Sequence, residues 1–293
     1  MAFLQARAGM TLGTDIEEYP EGIIIPVDKP YRWTSADVIR KVKWAACKHF
    51  GKKNLKVGHA GTLDPLATGV LLVCIGKATK LADSLQKHEK EYLAGLVLGA
   101  TTPSYDREKE IDRQYPIDQV SEARLREVLP GFTGEQEQVA PLFSAKSVDG
   151  VRAYEMARRA YKEAQRSGEG FDHSEVEQLS RQKINISRIE LVSYSADGTP
   201  ISSQSDGHEL GEGLSPNPRI NVIDTASLDL PSARILVQCS KGTYIRALAR
   251  DIGEALDSGA FLDSLRRTRS GSFNIQDCLD MRQTMDLFLP TQE

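Results

Sequence analysis

The spacing of apolar residues changes several times along this chain, and each change predicts a different element. Residues 22–30 form a short apolar run that ends at prolines, which predicts a buried strand. From Thr34 to His49 the apolar residues recur at helical spacing behind a start that resembles a capping box, which predicts a helix. Residues 70–76 are continuously apolar and predict a second buried strand, and a helix is expected over about 78–87.

The later part of the chain continues this mixture of strands and helices. A strand is predicted over 89–99, a helix over 119–132, strands over 184–194 and 233–239, and a helix that ends near Gly259. Residues 1–20 are expected to be a loosely held lead-in. Two polar stretches, 161–182 and 196–218, are expected to be insertions.

Composition narrows the class of protein. With 293 residues, of which 40% are hydrophobic, the chain can bury a substantial core. It contains no apolar run of eighteen residues, so we expect no membrane span, and its first twenty residues do not resemble a secretory signal. The four cysteines are far apart and form no Cys-x-x-Cys pair, which argues against a zinc site and against disulfides and favours a reducing cytoplasm.

Charge is distributed unevenly although the net charge is only −4. Residues 29–56 contain nine Lys or Arg residues and a single acid, Asp37. A basic run by itself is usually a solvated helix face. Because this one directly precedes a glycine-rich loop, we expect it to contact nucleic-acid phosphates.

That loop is the most unusual stretch of the sequence. Residues 57–71 contain three glycines, one histidine and one carboxylate between the basic segment and the apolar run. The glycines suggest positive φ angles or a close approach of the backbone to another molecule. Asp64 precedes Pro65, which favours an extended or turn conformation at the aspartate. Taken alone, such an aspartate is more often a turn residue than a catalytic one.

The whole loop, however, resembles the active-site motif of the TruB family of tRNA pseudouridine-55 synthases. That motif runs Gly-His-x-Gly-x-Leu-Asp-Pro-x-Ala-x-Gly, and residues 58–69 fill every fixed position. An Asp-Lys-Pro motif of the family matches residues 28–30, although Arg32 stands where the family usually has glycine. A Lys-x-Tyr motif matches residues 90–92.

Two further segments carry the resemblance. The sequence Lys-Gly-Thr-Tyr-Ile-Arg at 241–246 is a second strong signature, and Leu-Arg-Arg at 265–267 is a third element. The resemblance implies that the catalytic residues are Asp64, Tyr92 and Arg246. It also implies that the substrate-binding residues are His59, Tyr244, Leu265, Lys29 and Lys90.

The resemblance implies a fold and a reaction as well. The fold would be of the α+β class, with a mixed, largely antiparallel central sheet flanked by helices and a central active-site cleft. The enzyme would flip a uridine of the tRNA T loop out of its stack and isomerise it to pseudouridine. No metal and no cofactor are expected. The partner would be the T stem-loop of tRNA, no obligatory protein partner is expected, and the enzyme would act as a monomer.

The resemblance also predicts the domain organisation, and two other functions remain as alternatives. We expect one catalytic domain over residues 1–293, with its core at about 22–273 and no full C-terminal RNA-binding module of the PUA type. A tRNA-binding module that lacks catalysis could use the same scaffold. A glycosidase with paired carboxylates is a second alternative, but no second acid lies in a recognisable partner motif.

Overall fold

A computed structural model describes residues 3–141, 147–148, 151–152, 181–197, 213–225 and 228–289 of the chain. The predicted insertion at 161–182 lies almost entirely outside the described residues, and so does most of the one at 196–218. The chain forms two units. The first comprises residues 1–93, 202–220 and 265–293, and the second comprises 94–201 and 221–264. The prediction of a single catalytic domain stays a prediction.

The sheet of the first unit is built around a strand that is buried along its whole length. This strand, β4 (Ala67–Ile75), pairs antiparallel with β2 (Ile23–Lys29) and with β3 (Val57–Ala60). All nine of its residues are buried, as the continuous apolar run predicts, because a strand with covered faces needs no polar side. The two buried strands expected from the apolar runs are therefore confirmed.

Two parallel pairings make this sheet mixed. At one side, β1 (Leu4–Gln5) pairs in parallel with β2. On the other, the C-terminal part of β13 (Ala260–Ser270) pairs in parallel with β4 and antiparallel with β14 (Phe273–Asn274). The expectation of a loosely held lead-in was wrong, because β1 joins the sheet and Leu12 and Ile16 are buried.

Among its described residues, the first unit contains the helices α1 (Ser35–His49), α2 (Ala82–Gln86) and α5 (Met281–Asp286). At the start of α1, the Thr34 side chain accepts from the Asp37 backbone, and the Asp37 carboxylate accepts from the Thr34 backbone. This capping box confirms the predicted helix start. The helix expected over 78–87 is instead a 3₁₀ segment at Gly76–Leu81 followed by α2.

The turn between β2 and α1 contains the substitution noted in the sequence. Arg32 has a φ of 57°, a left-handed conformation that costs a residue with a side chain about 1–2 kcal/mol. Residues 215–220 provide contacts that offset this cost. The Asn217 amide donates to the Arg32 carbonyl at 3.1 Å, and Arg32 Nη2 donates to the Ile220 carbonyl at 2.9 Å. Trp33 Nε1 also donates to the Ser215 carbonyl.

The second unit contains an antiparallel sheet. Its strand β11 (Arg181–Ser195) pairs with β8 (Gly134–Val139) on one side and with β12 (Ser232–Cys239) on the other. Next to β12 lies β5 (Lys90–Leu98), and both β5 and β13 run from one unit into the other. Alternate residues of β12 are buried, which is typical of a strand with one covered face.

The second unit has further elements among its described residues. They are the antiparallel pairs β6 (Ala100–Thr101) with β7 (Arg113–Gln114) and β9 (Ser147–Val148) with β10 (Val151–Arg152), and the helices α3 (Glu122–Val128) and α4 (Ile245–Ala255). The predicted α+β class, with a mixed and largely antiparallel sheet and accompanying helices, is confirmed. In the part of the chain that the structure describes, every helix is too short or too polar to span a membrane.

Candidate active site

The loop that carries Asp64 connects the end of β3 to the start of β4. It spans residues 61–66, and Asp64 is half-buried between the buried side chains of Leu63 and Leu66. One glycine begins the loop, and another lies in β4 just beyond it. Gly61 has a φ of 86°, and Gly69 has a φ of 97° and lies so close to Arg267 that a Cβ would be 2.2 Å from the Arg267 carbonyl oxygen. The expectation of positive φ and close backbone approach is confirmed at these positions.

Every backbone carbonyl from residue 61 to residue 65 accepts a hydrogen bond. Arg267 donates to the Gly61 carbonyl at 2.9 Å and reaches the Thr62 carbonyl at 3.5 Å. The Ser35 hydroxyl donates to the Leu63 carbonyl at 3.2 Å and accepts from the Leu63 amide at 3.0 Å. The Ala67 amide donates to the Asp64 carbonyl. These contacts fix the backbone on both sides of the carboxylate before any ligand arrives.

Lys29 supplies the last of these bonds. Its ammonium donates to the Pro65 carbonyl at 3.2 Å and to the carbonyls of Pro30 and Trp33 at 2.8 and 2.5 Å. The side chain is fully buried, and this burial lowers the pKa of Lys29 to about 7 although the nearby Asp64 carboxylate raises it. The structure thus brings together Lys29 and Asp64, two of the residues predicted from the sequence.

Arg267 is a positioning residue that the sequence analysis did not single out. It is 1% exposed, and its Nε also donates to the Val70 carbonyl of β4 at 2.7 Å. The planar guanidinium can direct several donors to fixed points at once, and here they hold one end of the Asp64 loop against β4. The sequence could have indicated this role only through the position of Arg267 two residues after Leu265 in the Leu-Arg-Arg element. An exposed arginine that contacts phosphate fits that pattern equally well.

We expect Arg267→Lys to lower kcat by about 100-fold, because a loop displaced by about 1 Å misplaces the carboxylate. A lysine keeps the charge, but it cannot reach the carbonyls of Gly61 and Val70 together. The dissociation constant for tRNA, the substrate that the family resemblance implies, should change by less than about threefold. Steady-state kinetics and equilibrium binding measure the two effects. The matched control is Arg269→Lys, two residues along the same strand, where the side chain pairs with Glu89. Equal losses of kcat in the two variants would contradict a role in the loop.

Other predicted residues of the first unit lie near the same strands. Leu265 is buried and lies opposite Ala67 in the parallel pairing of β13 with β4. Ala67 is three residues beyond Asp64 in the sequence. Tyr92 is 9% exposed on β5. His59 lies on β3, where burial and Arg267 lower its pKa, and its buried Nδ1 has no hydrogen-bond partner in the described structure.

Lys90 resembles Lys29 in being buried and in donating to backbone carbonyls. Its ammonium donates to the carbonyl of Gln86, the last residue of the short helix α2, and to that of His88 just beyond it. Burial of both lysines favours a role in holding the backbone over direct contact with RNA. The substrate-binding role predicted for Lys29 and Lys90 stays a prediction.

Arg246, in the second unit, is oriented by a buried carboxylate. It lies in the first turn of α4 and is 4% exposed. Its Nε is 3.8 Å from Asp106 Oδ2, and its Nη1 donates to the Ser104 carbonyl at 3.2 Å. Burial raises the pKa of Asp106 to about 6, and the Arg246 charge and the Ser104 hydroxyl work in the opposite direction. Asp106 has no role predicted from the sequence, because a single acid in a polar loop carries no distinctive pattern.

Tyr244 caps α4 and is fixed through its backbone. The side-chain amide of Gln138 accepts from the Tyr244 amide at 2.9 Å and donates to the Tyr244 carbonyl at 3.1 Å. Gln138 is 2% exposed on β8, so this pair of bonds is shielded from water. The aromatic side chain of Tyr244 is half-buried. Within the described residues, no group of three or more His, Cys, Asp or Glu side chains is arranged to hold a metal ion.

Comparison with known protein families places the chain among pseudouridine synthases. The profile of the "TruB family pseudouridylate synthase (N terminal domain)" matches residues 48–206, and that of the "tRNA pseudouridylate synthase B C-terminal domain" matches residues 246–293. The tRNA pseudouridine synthase B of Phocaeicola vulgatus is 44% identical over 90% of this chain and 92% of its own length. The protein of the same name from Bacteroides thetaiotaomicron is 47% identical over 89% of this chain and 91% of its own length.

Solved structures agree on the fold. A Cbf5–Nop10–Gar1 complex contains a chain that matches 97% of this one with a TM-score of 0.55 and 24% identity. An H/ACA RNP bound to a substrate RNA containing 2′-deoxyuridine contains another, with a TM-score of 0.53 and 22% identity. This chain spans 62% and 61% of those two chains. At such identities the likeness shows the fold alone.

Proposed function

Because the chain belongs to the TruB family of pseudouridylate synthases, we propose that it isomerises uridine to pseudouridine at position 55, in the T loop of tRNA. The observation that carries the proposal is the loop at residues 61–65, in which every backbone carbonyl is hydrogen-bonded around one half-buried carboxylate. Such rigidity is typical of a catalytic group and exceeds what a turn needs. The names of the relatives in Phocaeicola vulgatus and Bacteroides thetaiotaomicron support tRNA as the substrate.

The reaction needs a single carboxylate and no redox partner. The bond between N1 and C1′ of uridine breaks, the base rotates, and a bond between C5 and C1′ forms. The C5 proton is lost and N1 gains a proton, so nothing else is added or removed. Asp64 either attacks C1′ as a nucleophile or acts as a base that generates a glycal, and both routes start from the same position of the carboxylate.

Five of the remaining predicted residues have roles in the reaction: three act on the detached base, one supplies charge and one replaces the flipped nucleotide. Tyr92 stacks on the uracil and lies close to the C5 proton, and Tyr244 and Leu265 are the further residues that the family resemblance assigns to binding the base. For Arg246, the family resemblance implies a catalytic role as a positive charge. The target uridine must leave its stack, at a cost of roughly a few kcal/mol, and His59 fills the space that it leaves. A neutral His59 suits this role, because its pKa is lowered by burial.

Binding of the RNA relies on shape and on phosphate contacts rather than on base edges. We propose that the enzyme acts as a monomer in the cytoplasm on the T stem-loop, with no cofactor. A second candidate function is a tRNA-binding module without catalysis on the same scaffold. The fixed Asp64 loop favours the enzyme, because RNA binding alone does not require a rigid, half-buried acid.

The proposal is tested with a tRNA transcript that carries tritium at C5 of its uridines. Formation of pseudouridine releases this tritium into water, so one equivalent per tRNA is expected with the purified protein. A matched transcript with cytidine at position 55 should release none. Absence of release from the first transcript would refute the enzymatic function. Equal release from both transcripts would place the modified uridine elsewhere in the RNA.

A further inference from the structure

A basic cavity lies in the first unit, far along β4 from the Asp64 loop. It has a volume of about 540 Å³ and is lined by five lysines: Lys52, Lys53, Lys56, Lys77 and Lys80. Three of them belong to the basic segment in the sequence, and the other two come from the 3₁₀ segment that follows β4. We call this cavity the lysine pocket. In the sequence, Lys52, Lys53 and Lys56 are close together, whereas Lys77 and Lys80 join them only in the folded structure.

The position of the lysine pocket separates it from the catalytic loop. The Ala67 amide, at the start of β4, bonds the Asp64 carbonyl, whereas the Gly76 amide, just past the end of β4, bonds the Lys56 carbonyl. Eight residue steps of a strand, at about 3.3 Å each, place the two ends roughly 26 Å apart. The lysine pocket is therefore not part of the site that surrounds the reacting uridine.

The charge of the lysine pocket is largely uncompensated. Lys52 forms an ion pair with Glu17 at 2.5 Å. Among the described residues, the side chains of Lys53, Lys56, Lys77 and Lys80 form no ion pair, and all four are exposed. Four like charges around one concavity repel each other, and a bound polyanion relieves this repulsion. The buried side chains of Ile16 and Leu55 give the concavity a fixed floor.

We propose that the lysine pocket binds the sugar–phosphate backbone of the substrate tRNA at a point remote from the flipped uridine. This inference rests on the proposed function. Lysine is a flexible point charge that suits contacts with phosphate irrespective of base sequence. A folded tRNA is large enough to reach both Asp64, next to the start of β4, and the lysine pocket at the other end of this strand roughly 26 Å away, which a mononucleotide is not. The pocket then adds affinity for the whole tRNA without taking part in the chemistry.

The first test is a variant that combines Lys53→Gln, Lys56→Gln, Lys77→Gln and Lys80→Gln. Affinity for the tRNA transcript should fall at least tenfold near 0.1 M salt, and the slope of log K against log salt should become shallower by about two to three. Tritium release at saturating tRNA should stay within about twofold of the original protein. The matched control combines four exposed residues elsewhere: Lys87→Gln, Arg113→Gln, Arg126→Gln and Lys183→Gln. Equal weakening in the control would overturn the inference, because the effect would then follow net charge alone.

The second test uses the unmodified protein, so it does not depend on whether the variant folds. Lysines are acylated with an activated ester in the presence and absence of the tRNA transcript, and each site is quantified by mass spectrometry. The four pocket lysines should be protected by tRNA and not by ATP, the small-molecule source of the same phosphate chemistry. Lack of protection by tRNA, or protection by ATP alone, would overturn the inference. Failure of the proposed function would be a separate result, since the original protein would then release no tritium.

Discussion

Asp64→Asn should abolish tritium release from the tRNA transcript while leaving tRNA binding intact. The substitution preserves size and the carbonyl contacts of the loop, but an amide cannot serve as nucleophile or as base. A fall in kcat of about 10⁴-fold or more is expected, which is the scale seen when a group essential to the chemistry is removed. The dissociation constant for tRNA should change by less than about threefold. Single-turnover tritium release and equilibrium binding measure the two quantities.

The control for this prediction is Asp83→Asn, which alters an exposed aspartate at the start of α2. It changes net charge by the same amount without touching the loop, so its activity should equal that of the original protein. If Asp64→Asn retained turnover, the carboxylate would not be the reacting group. If the original protein and both variants showed only background release, the chain would be a binding module that keeps the family scaffold.

Arg246→Ala should lower kcat by about 10³-fold, the upper range for loss of one donor that stabilises developing charge. Its effect on tRNA affinity should be less than about threefold, because the guanidinium is buried and paired with Asp106. Arg246→Lys should recover part of the activity, since it restores the charge without the planar pair of donors. Comparable losses of kcat and affinity would instead identify Arg246 as a phosphate contact.

The same variant makes a prediction about stability and pH. The pKa of Asp106 is already raised to about 6 by burial, and removal of the Arg246 charge should raise it further. A group whose pKa is higher in the folded protein than in the unfolded chain costs stability as pH rises through that interval. The difference in unfolding free energy between Arg246→Ala and the original protein should therefore grow from pH 5 to pH 8. Denaturant melts at these pH values measure it, and a constant difference would contradict the assigned role of the ion pair.

Local sequence patterns predicted most of the secondary structure. The capping box at Thr34 was sufficient to predict the start of α1, and the continuous apolar run was sufficient to predict β4. Both patterns depend on interactions between residues that are close in sequence. The first twenty residues were misjudged for the opposite reason. Their ordering depends on a parallel pairing of β1 with β2 and on burial of Leu12 and Ile16, none of which has a local signature. The role of the segment at 215–220 in the turn at Arg32 is likewise evident only from its hydrogen bonds with that residue.

Sequence alone determined the family, the loop that presents Asp64 and the residue types expected around it. A fixed order of glycine, histidine, aspartate and proline can be recognised without knowledge of the fold. Tertiary structure decided what fixes that loop. The bond from Arg267 to the Gly61 carbonyl joins residues 206 positions apart, and the bond from Lys29 to the Pro65 carbonyl joins residues 36 apart. It also decided which lysines are buried in the framework and which gather in the lysine pocket. Such contacts depend on strands that meet only after folding, so their physical basis is absent from any local stretch of the chain.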